Sequence, residues 1–206
     1  MYLYGFELEG FARDSKDQVT IPPRKWPCDG FPGLLEIRTS GGKPLRKAYG
    51  SLLAELFSLS IKDYTPDFQT FEHKFSGKEI AVLRKDRDFD KDRMDIQNVY
   101  NKNPRELNGR TLASFQINIS YRLSDERKEK DVHIPARYGV LDVARIVRNL
   151  DTEFSKEIKD SKRQPGFYCL KDNIRLEYRS LPNFVFESDP YSIMGLLNRI
   201  EKAVEG

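Results

Sequence analysis

Long apolar runs are absent from this 206-residue chain. No stretch approaches the about 18 apolar residues that cross a bilayer, and no basic segment followed by an apolar run stands at its start. A membrane partner is not expected, and a cytoplasmic protein is. Cysteine is scarce as well. Cys28 and Cys169 lie far apart, with no CxxC pair and no Cys/His cluster. That leaves neither a zinc module nor the disulfide framework of a small secreted scaffold. The two thiols read as buried or incidental, with a disulfide between them the lesser alternative. Charge of one sign is not in excess either: 35 Lys and Arg against 32 Asp and Glu leave a net +3. Such a balance permits a polyanion such as ATP or nucleic acid without arguing for one. Internal repeats and glycine-rich nucleotide loops are also missing.

What is present is a folding composition. Hydrophobic residues make up 38% of the chain, and its 13 Phe, 10 Tyr and 11 Pro point to sheet with structured loops. The length suits one core, so residues 1–206 are read as a single domain. Strands are expected over 2–9, 34–39, 112–120, 167–170 and 174–180, and a hairpin from "QTFEHKF" and "EIAVLRK" around "SGK". Helical spacing marks Leu45, Ala48, Tyr49, Leu52, Leu53, Leu56 and Phe57, with Pro44 in the first turn. A long helix is expected from Val140 through Val143, Ala144, Val147, Leu150 and Phe154 to Ile158. A last helix starts at Asp189 and Pro190 and aligns Met194, Leu197, Ile200 and Val204. The charged stretch 84–108 reads as a loop or lid, and its mixed signs argue against a nucleic-acid arm. The economical architecture is α+β, a sheet layered with helices.

Side chains alternate along a strand, so parity assigns faces. Glu7 and Glu9 lie opposite Phe6 and Leu8; Glu36 and Arg38 lie opposite Leu35 and Ile37. Gln116, Asn118 and Ser120 oppose Phe115, Ile117 and Ile119, while Arg175, Glu177 and Arg179 oppose Ile174, Leu176 and Tyr178. In one sheet these residues would share a polar face. The bland reading is the solvated side of an antiparallel sheet. Against it stands a set without lysine, rich in arginine, glutamate and short amides. Arginine grips phosphate bidentately, and glutamates supply the hard oxygens that Mg²⁺ takes. Carboxylates so placed repel one another unless cations lie between them. These are the parts of a phosphoryl-transfer site.

The four segments "GFELEG", "GLLEIRT", "SFQINIS" and "KRQPGFYCLKDNIRLEYRSLPN", in this order, resemble the carboxylate–amine ligases of the glutamine synthetase-like superfamily. The closer likeness is to the phage-encoded amidoligases. The resemblance implies a curved, mainly antiparallel sheet with helices on one face and a polar active-site face, as in the glutamine synthetase catalytic domain. It also implies ATP-dependent joining of a carboxylate to an amine through an acyl-phosphate, with Mg²⁺ or Mn²⁺. By position, Glu7, Glu9, Glu36 and Glu177 would ligate metal. Arg179 would meet the transferring phosphoryl group, and Arg38 would hold a substrate carboxylate or pair with Glu9. Arg163 would approach nucleotide phosphates, with Arg175, Gln116, Asn118 and Ser120 on the nucleotide side. Where the family has two histidines this chain has Gln116 and Asn118. An amide oxygen can coordinate Mg²⁺ but cannot donate a proton as imidazolium does.

The carboxylate and amine substrates are left open among amino acid, peptide, protein terminus, cell-wall precursor and modified base. A phage origin would place the protein in the host cytoplasm. Related rings build sites between subunits, which leaves a homo-oligomer open. The alternative to an enzyme is a non-catalytic binding or structural protein of the same fold, and a nucleic-acid module ranks below both. Single residues read blandly: His73 on the surface, His133 as a local cap, Cys169 as a small buried hydrophobe. Trp26, Cys28, Asp29 and Phe31 belong to a Pro-rich loop, and Asn183 either binds substrate or shapes the "SLPN" turn.

Overall fold

The computed structural model describes residues 1–21, 34–39, 41–59, 64–79, 81, 96–104, 110–123, 139–171 and 174–206. The readings of Trp26, Cys28, Asp29, Phe31, His133 and most of the 84–108 lid lie outside these residues. Among these residues ten strands form: β1 Tyr2–Arg13, β2 Val19–Thr20, β3 Leu35–Arg38, β4 Thr65–Asp67, β5 Glu72–Lys74, β6 Gln97–Asn98, β7 Arg110–Leu112, β8 Ser114–Tyr121, β9 Phe167–Lys171 and β10 Arg175–Pro182. With them come helices α1 Leu45–Ser58, α2 Val143–Glu153, α3 Ser155–Asp160 and α4 Pro190–Glu205.

The main sheet runs β2-β1-β8-β10-β9-β6, with β3 and β4 also on β1, and every ladder is antiparallel. The α+β class is as expected. The curved, glutamine synthetase-like sheet is not: this sheet is neither curved nor closed. Strong curvature is built by repeated bulges, and the described ladders contain one register shift, between Tyr178 and Leu181. The sheet runs out instead at β6, two residues long, drawn from the stretch read as a lid.

The apolar side is where the helices pack. Phe6, Leu8, Ile37, Phe115, Ile117, Ile119, Leu176, Tyr178 and Leu181 meet Tyr49 and Leu52 of α1, Ile146, Val147 and Leu150 of α2, and Leu197, Ile200 and Val204 of α4. Phe6 stacks on Phe115 at 5.4 Å with rings 9° apart, and Tyr49 stands edge-on to Phe6 at 5.4 Å. Full burial of each such side chain contributes about 1.5–3 kcal/mol. Asp189 caps α4 by accepting from the Tyr191 and Ser192 amides, with Pro190 at the first helical position.

Three local expectations are corrected. "SGKE" is not a hairpin turn but a capping box. Glu79 accepts from the Ser76 amide at 2.7 Å, Ser76 Oγ accepts from the Glu79 amide at 3.3 Å, and residues 77–79 are helical. Strand β5 therefore pairs with β7 instead. The long helix begins later than expected, capped by Asp142, and breaks at Phe154. Val140 is 99% exposed outside it, and Ile146 rather than Ala144 enters the core. Phe57, at the end of α1, points to solvent, as does Met194 in part.

Two glycines make opposite forecasts. A Cβ at Gly10 would lie 2.6 Å from the Asp67 carbonyl oxygen and 2.4 Å from the Phe68 ring, where β1 meets β4. At Gly50, in α1, nothing lies within 4 Å. In urea unfolding Gly10→Ala is expected to lose about 1–3 kcal/mol and Gly50→Ala to gain roughly 0.5–1 kcal/mol.

Candidate functional site

Parity holds across the sheet. The register sets Glu7 against Arg38 and Gln116, Glu9 against Glu36, and Glu177 against Asn118 and Cys169. The face opposite the helices thus gathers Glu36 and Arg38 from β3, Glu7 and Glu9 from β1, Ser114, Gln116, Asn118 and Ser120 from β8, Arg175, Glu177 and Arg179 from β10, and Cys169 and Lys171 from β9. It is not a wet face. Glu7, Glu9, Glu36, Gln116, Asn118 and Ser120 are all buried, and Glu177 is 0% exposed. At one end a second apolar cluster of Phe11, Leu34, Phe75 and Ala113 closes it. The His73 ring, half-buried rather than on the surface, sits 4.6 Å from Phe75 and 5.8 Å from Phe11.

Each carboxylate is held in its own way. Glu9 is held by neutral groups: Oε2 accepts from the Ser114 amide (2.8 Å) and hydroxyl (2.6 Å), and Oε1 from Gln116 Nε2 (2.8 Å). Glu7 Oε1 accepts from Asn118 Nδ2 at 3.0 Å. Glu36 is gripped by both Nε and Nη2 of Arg38, the latter at 2.8 Å, while Arg38 Nε is 3.8 Å from Glu7 Oε2. Glu177 is paired with Arg179 through Oε1 and with Lys171 through Oε2. The Lys171 ammonium also lies 3.7 Å from Glu7 Oε1. From β9 to β1 is three strand spacings, about 14 Å, which the lysine and glutamate stems bridge together.

The Gln116 and Asn118 amides are therefore spent, on their nitrogen side, in orienting Glu9 and Glu7. Their oxygens, Gln116 Oε1 and Asn118 Oδ1, are buried and meet no hydrogen-bond donor among the described residues. Among those residues no group of three or more His, Cys, Asp and Glu is arranged to hold a metal ion; the face offers carboxylate pairs with amide oxygens beside them. Ser120 lies at the far end of the face, opposite Leu3 and Arg175. Arg175 passes beside Gly41, whose added Cβ would come within 3.7 Å of its Nη1.

Arg163 is placed otherwise than the phosphate reading required. Its Nη1 donates to the Ala113 carbonyl (3.1 Å) and its Nη2 to the Arg179 carbonyl (3.0 Å). Burial brings its pKa down to about 10, against the pull of Glu9. It ties the start of β8 to the bulge of β10. At that bulge Arg179 and Ser180 together oppose Gln116, since Tyr178 pairs with Ile117 and Leu181 with Phe115. The extra residue lets Arg179 keep the polar face while Leu181, of the same parity, enters the core. Burial lowers the pKa of Arg179, but Glu177 and Glu9 outweigh it and hold the guanidinium above its ordinary value.

From behind, β10 is pinned by a buried hydrogen bond. The Tyr178 hydroxyl donates to Asp151 Oδ1 at 2.7 Å, and the Gly166 amide donates to the same oxygen at 3.1 Å. Burial raises the Asp151 pKa despite these bonds. Asn183 Nδ2 donates to the Phe68 and Thr70 carbonyls, so its side chain ties the end of β10 to the segment after β4 rather than shaping its own turn. Cys169, read as a small hydrophobe, instead faces Glu177 on the polar side. Burial pushes its thiol pKa up, with Arg179 opposing.

Parity missed Lys171 because the strand was ended at Leu170; extending the alternation from Cys169 by one step would have found it. Ser114 shares the parity of Gln116 and was missed because the polar series was begun at Gln116, one step too late. Compared with known protein families and curated sequences, the chain matches none.

Two measurements follow from the pinning of β10. Folding raises the Asp151 pKa, so its contribution is fully present below the unfolded value of 3.8 and is lost as pH rises through the higher folded value. Asp151→Asn, which keeps the acceptor oxygen and removes the charge, is expected to flatten that fall in a pH series of urea unfolding. Arg163→Lys cannot reproduce the forked contact and is expected to lose about 1.5–3 kcal/mol in the same assay.

Proposed function

We propose that this polar face is the site of an ATP- and divalent-cation-dependent ligase, which joins a carboxylate to an amine through an acyl-phosphate. The observation that carries the reading is the convergence of Glu7, Glu9, Glu36 and Glu177 with Arg38 and Arg179 on one buried face. Taking ions out of water costs several kcal/mol each, and neighbouring apolar residues would cover a structural sheet without that cost. The donor set suits Mg²⁺, which takes hard oxygen and is commonly held by one or two carboxylates, water and substrate phosphates. The buried amide oxygens of Gln116 and Asn118 extend that set. The reading rests on these side chains and not on a glutamine synthetase-like sheet.

Bound ATP would supply the phosphoryl group that converts the carboxylate to a mixed anhydride, and Mg²⁺ would offset the phosphate charge. The chain's own residues position and neutralise. Glu7, which accepts from the Asn118 amide, and Glu177, which pairs with Asn118 in the ladder, would hold a divalent cation. Arg179, half-buried and always charged, would meet the transferring phosphoryl group, and Arg163 fixes the backbone it projects from. Arg38, half-exposed at the rim, exchanges Glu36 for the substrate carboxylate. Arg175 and Ser120 flank the nucleotide side.

A specific observation favours a second reading, that of a non-catalytic protein. Each of the four glutamates already has an arginine, lysine or amide partner, so the face is electrostatically complete by itself. One experiment separates the two. With ATP, Mg²⁺, an ¹⁸O-labelled carboxylate and an amine, the ligase reading expects label in the released phosphate that depends on the amine. Glu177→Gln, with its circular dichroism unchanged, is expected to lower that transfer by about 100-fold or more. Phosphate release indifferent to every carboxylate and amine pair, or free of label, overturns the ligase.

A further inference from the structure

We infer that Lys171 is a tethered counter-ion: it holds the Glu7–Glu177 pair in the metal-free protein and is displaced when a divalent cation binds there. The inference rests on the reading of the face as cation-dependent and names the residue that regulates its loading.

Three features of the cluster carry it. First, the ammonium sits where a metal between the two carboxylates would sit, paired with Glu177 Oε2 and 3.7 Å from Glu7 Oε1. Second, both carboxylates keep another partner when the lysine leaves. Glu177 Oε1 stays with Arg179, and Glu7 Oε1 stays with the Asn118 amide. The oxygens are thus held for a second ligand rather than released. Third, Asn118 stands directly across from Glu177 in the ladder, is 5% exposed, and keeps a buried Oδ1 that meets no donor among the described residues. A lysine serving only as a structural ion pair has three protons and would be expected to satisfy that acceptor, since a buried unmade bond is costly. A small cation takes several oxygens at once, and here two carboxylates and an amide oxygen await one.

The route out is also present. Lys171 ends β9 and its side chain is 24% exposed, while Glu177 is fully enclosed. The flexible four-carbon stem lets the ammonium reach water without moving the sheet. A divalent ion entering as the lysine leaves keeps the carboxylates neutralised throughout. The lysine therefore lowers affinity by competition and protects the pair from mutual repulsion when the ion is gone.

Mn²⁺ binding to the full chain without nucleotide, followed by electron paramagnetic resonance of the free ion and by melting, tests this. Lys171→Ala is expected to bind Mn²⁺ at least tenfold more tightly than the wild type. It is also expected to melt at lower temperature in chelator and to recover on Mn²⁺ addition but not on NaCl addition at equal ionic strength. Lys171→Gln, which keeps the stem and one donor, is expected to show the same order of affinities if the alanine variant does not fold. Glu177→Gln combined with either is expected to abolish the gain. Equal or weaker Mn²⁺ binding in the lysine variants overturns the counter-ion role while leaving a cation-dependent face in place. No Mn²⁺ uptake by any of the proteins overturns both.

Discussion

Everything on the polar side of the sheet depends on neutralising carboxylates that have been taken out of water. Glu177 is the extreme case: enclosed on all sides, it is tolerable only because Arg179 and Lys171 bracket its two oxygens. The neighbouring strands follow from that demand. The β10 bulge sets Arg179 beside Glu177, Arg163 clamps the bulge through its carbonyl, and Tyr178 anchors the same strand to Asp151 on the helical side. One buried charge thus specifies the register, the irregularity and the backing of a whole strand.

The four carboxylates are not equivalent in kind. Glu9 accepts from the Ser114 amide and hydroxyl and from the Gln116 amide, and its charge bears on Arg163 and Arg179. Glu36 is tied to Arg38, two residues away on the same strand, and that pair is the most solvent-accessible. Glu7 and Glu177 share the ammonium of Lys171. The face therefore grades from a carboxylate held by amide and hydroxyl donors, through an ion pair at the rim, to two carboxylates that share one ammonium. Within this gradation the two amides aim carboxylates with their nitrogens and leave carbonyl oxygens over.

Much of this was legible from period-two alternation alone, because β1, β3, β8 and β10 each place apolar residues on one parity and polar ones on the other. Parity cannot see a bulge, and Leu181 shares the parity of Arg179 yet lies in the core. Nor can it measure reach across strands, which is how Lys171 was missed while a lysine-free face was being described. The "SGK" error had a different origin. Gly after Ser suggests a turn, but Glu79 three residues after Ser76 completes a helix cap, and the reciprocal bonds decide the matter. Arg163 shows the limit on the chemical side: a guanidinium in a motif associated with phosphate was taken up by two carbonyls. Curvature was the furthest from view, since it is a property of how ladders add together.

Strand β1 has a consequence for how the chain comes together. Its partners lie at 19–20, 35–38, 65–67 and 114–121, so Glu7 reaches its neighbour Gln116 across more than half the sequence. Contacts of such separation form slowly, and until they form the segment from Leu3 to Ala12 is an unpaired edge rich in aromatic and aliphatic side chains. Glu7 and Glu9 interrupt that run with two negative charges, the device by which sequences discourage exposed strands from pairing with copies of themselves. The residues that charge the finished face thus also guard the unfinished strand.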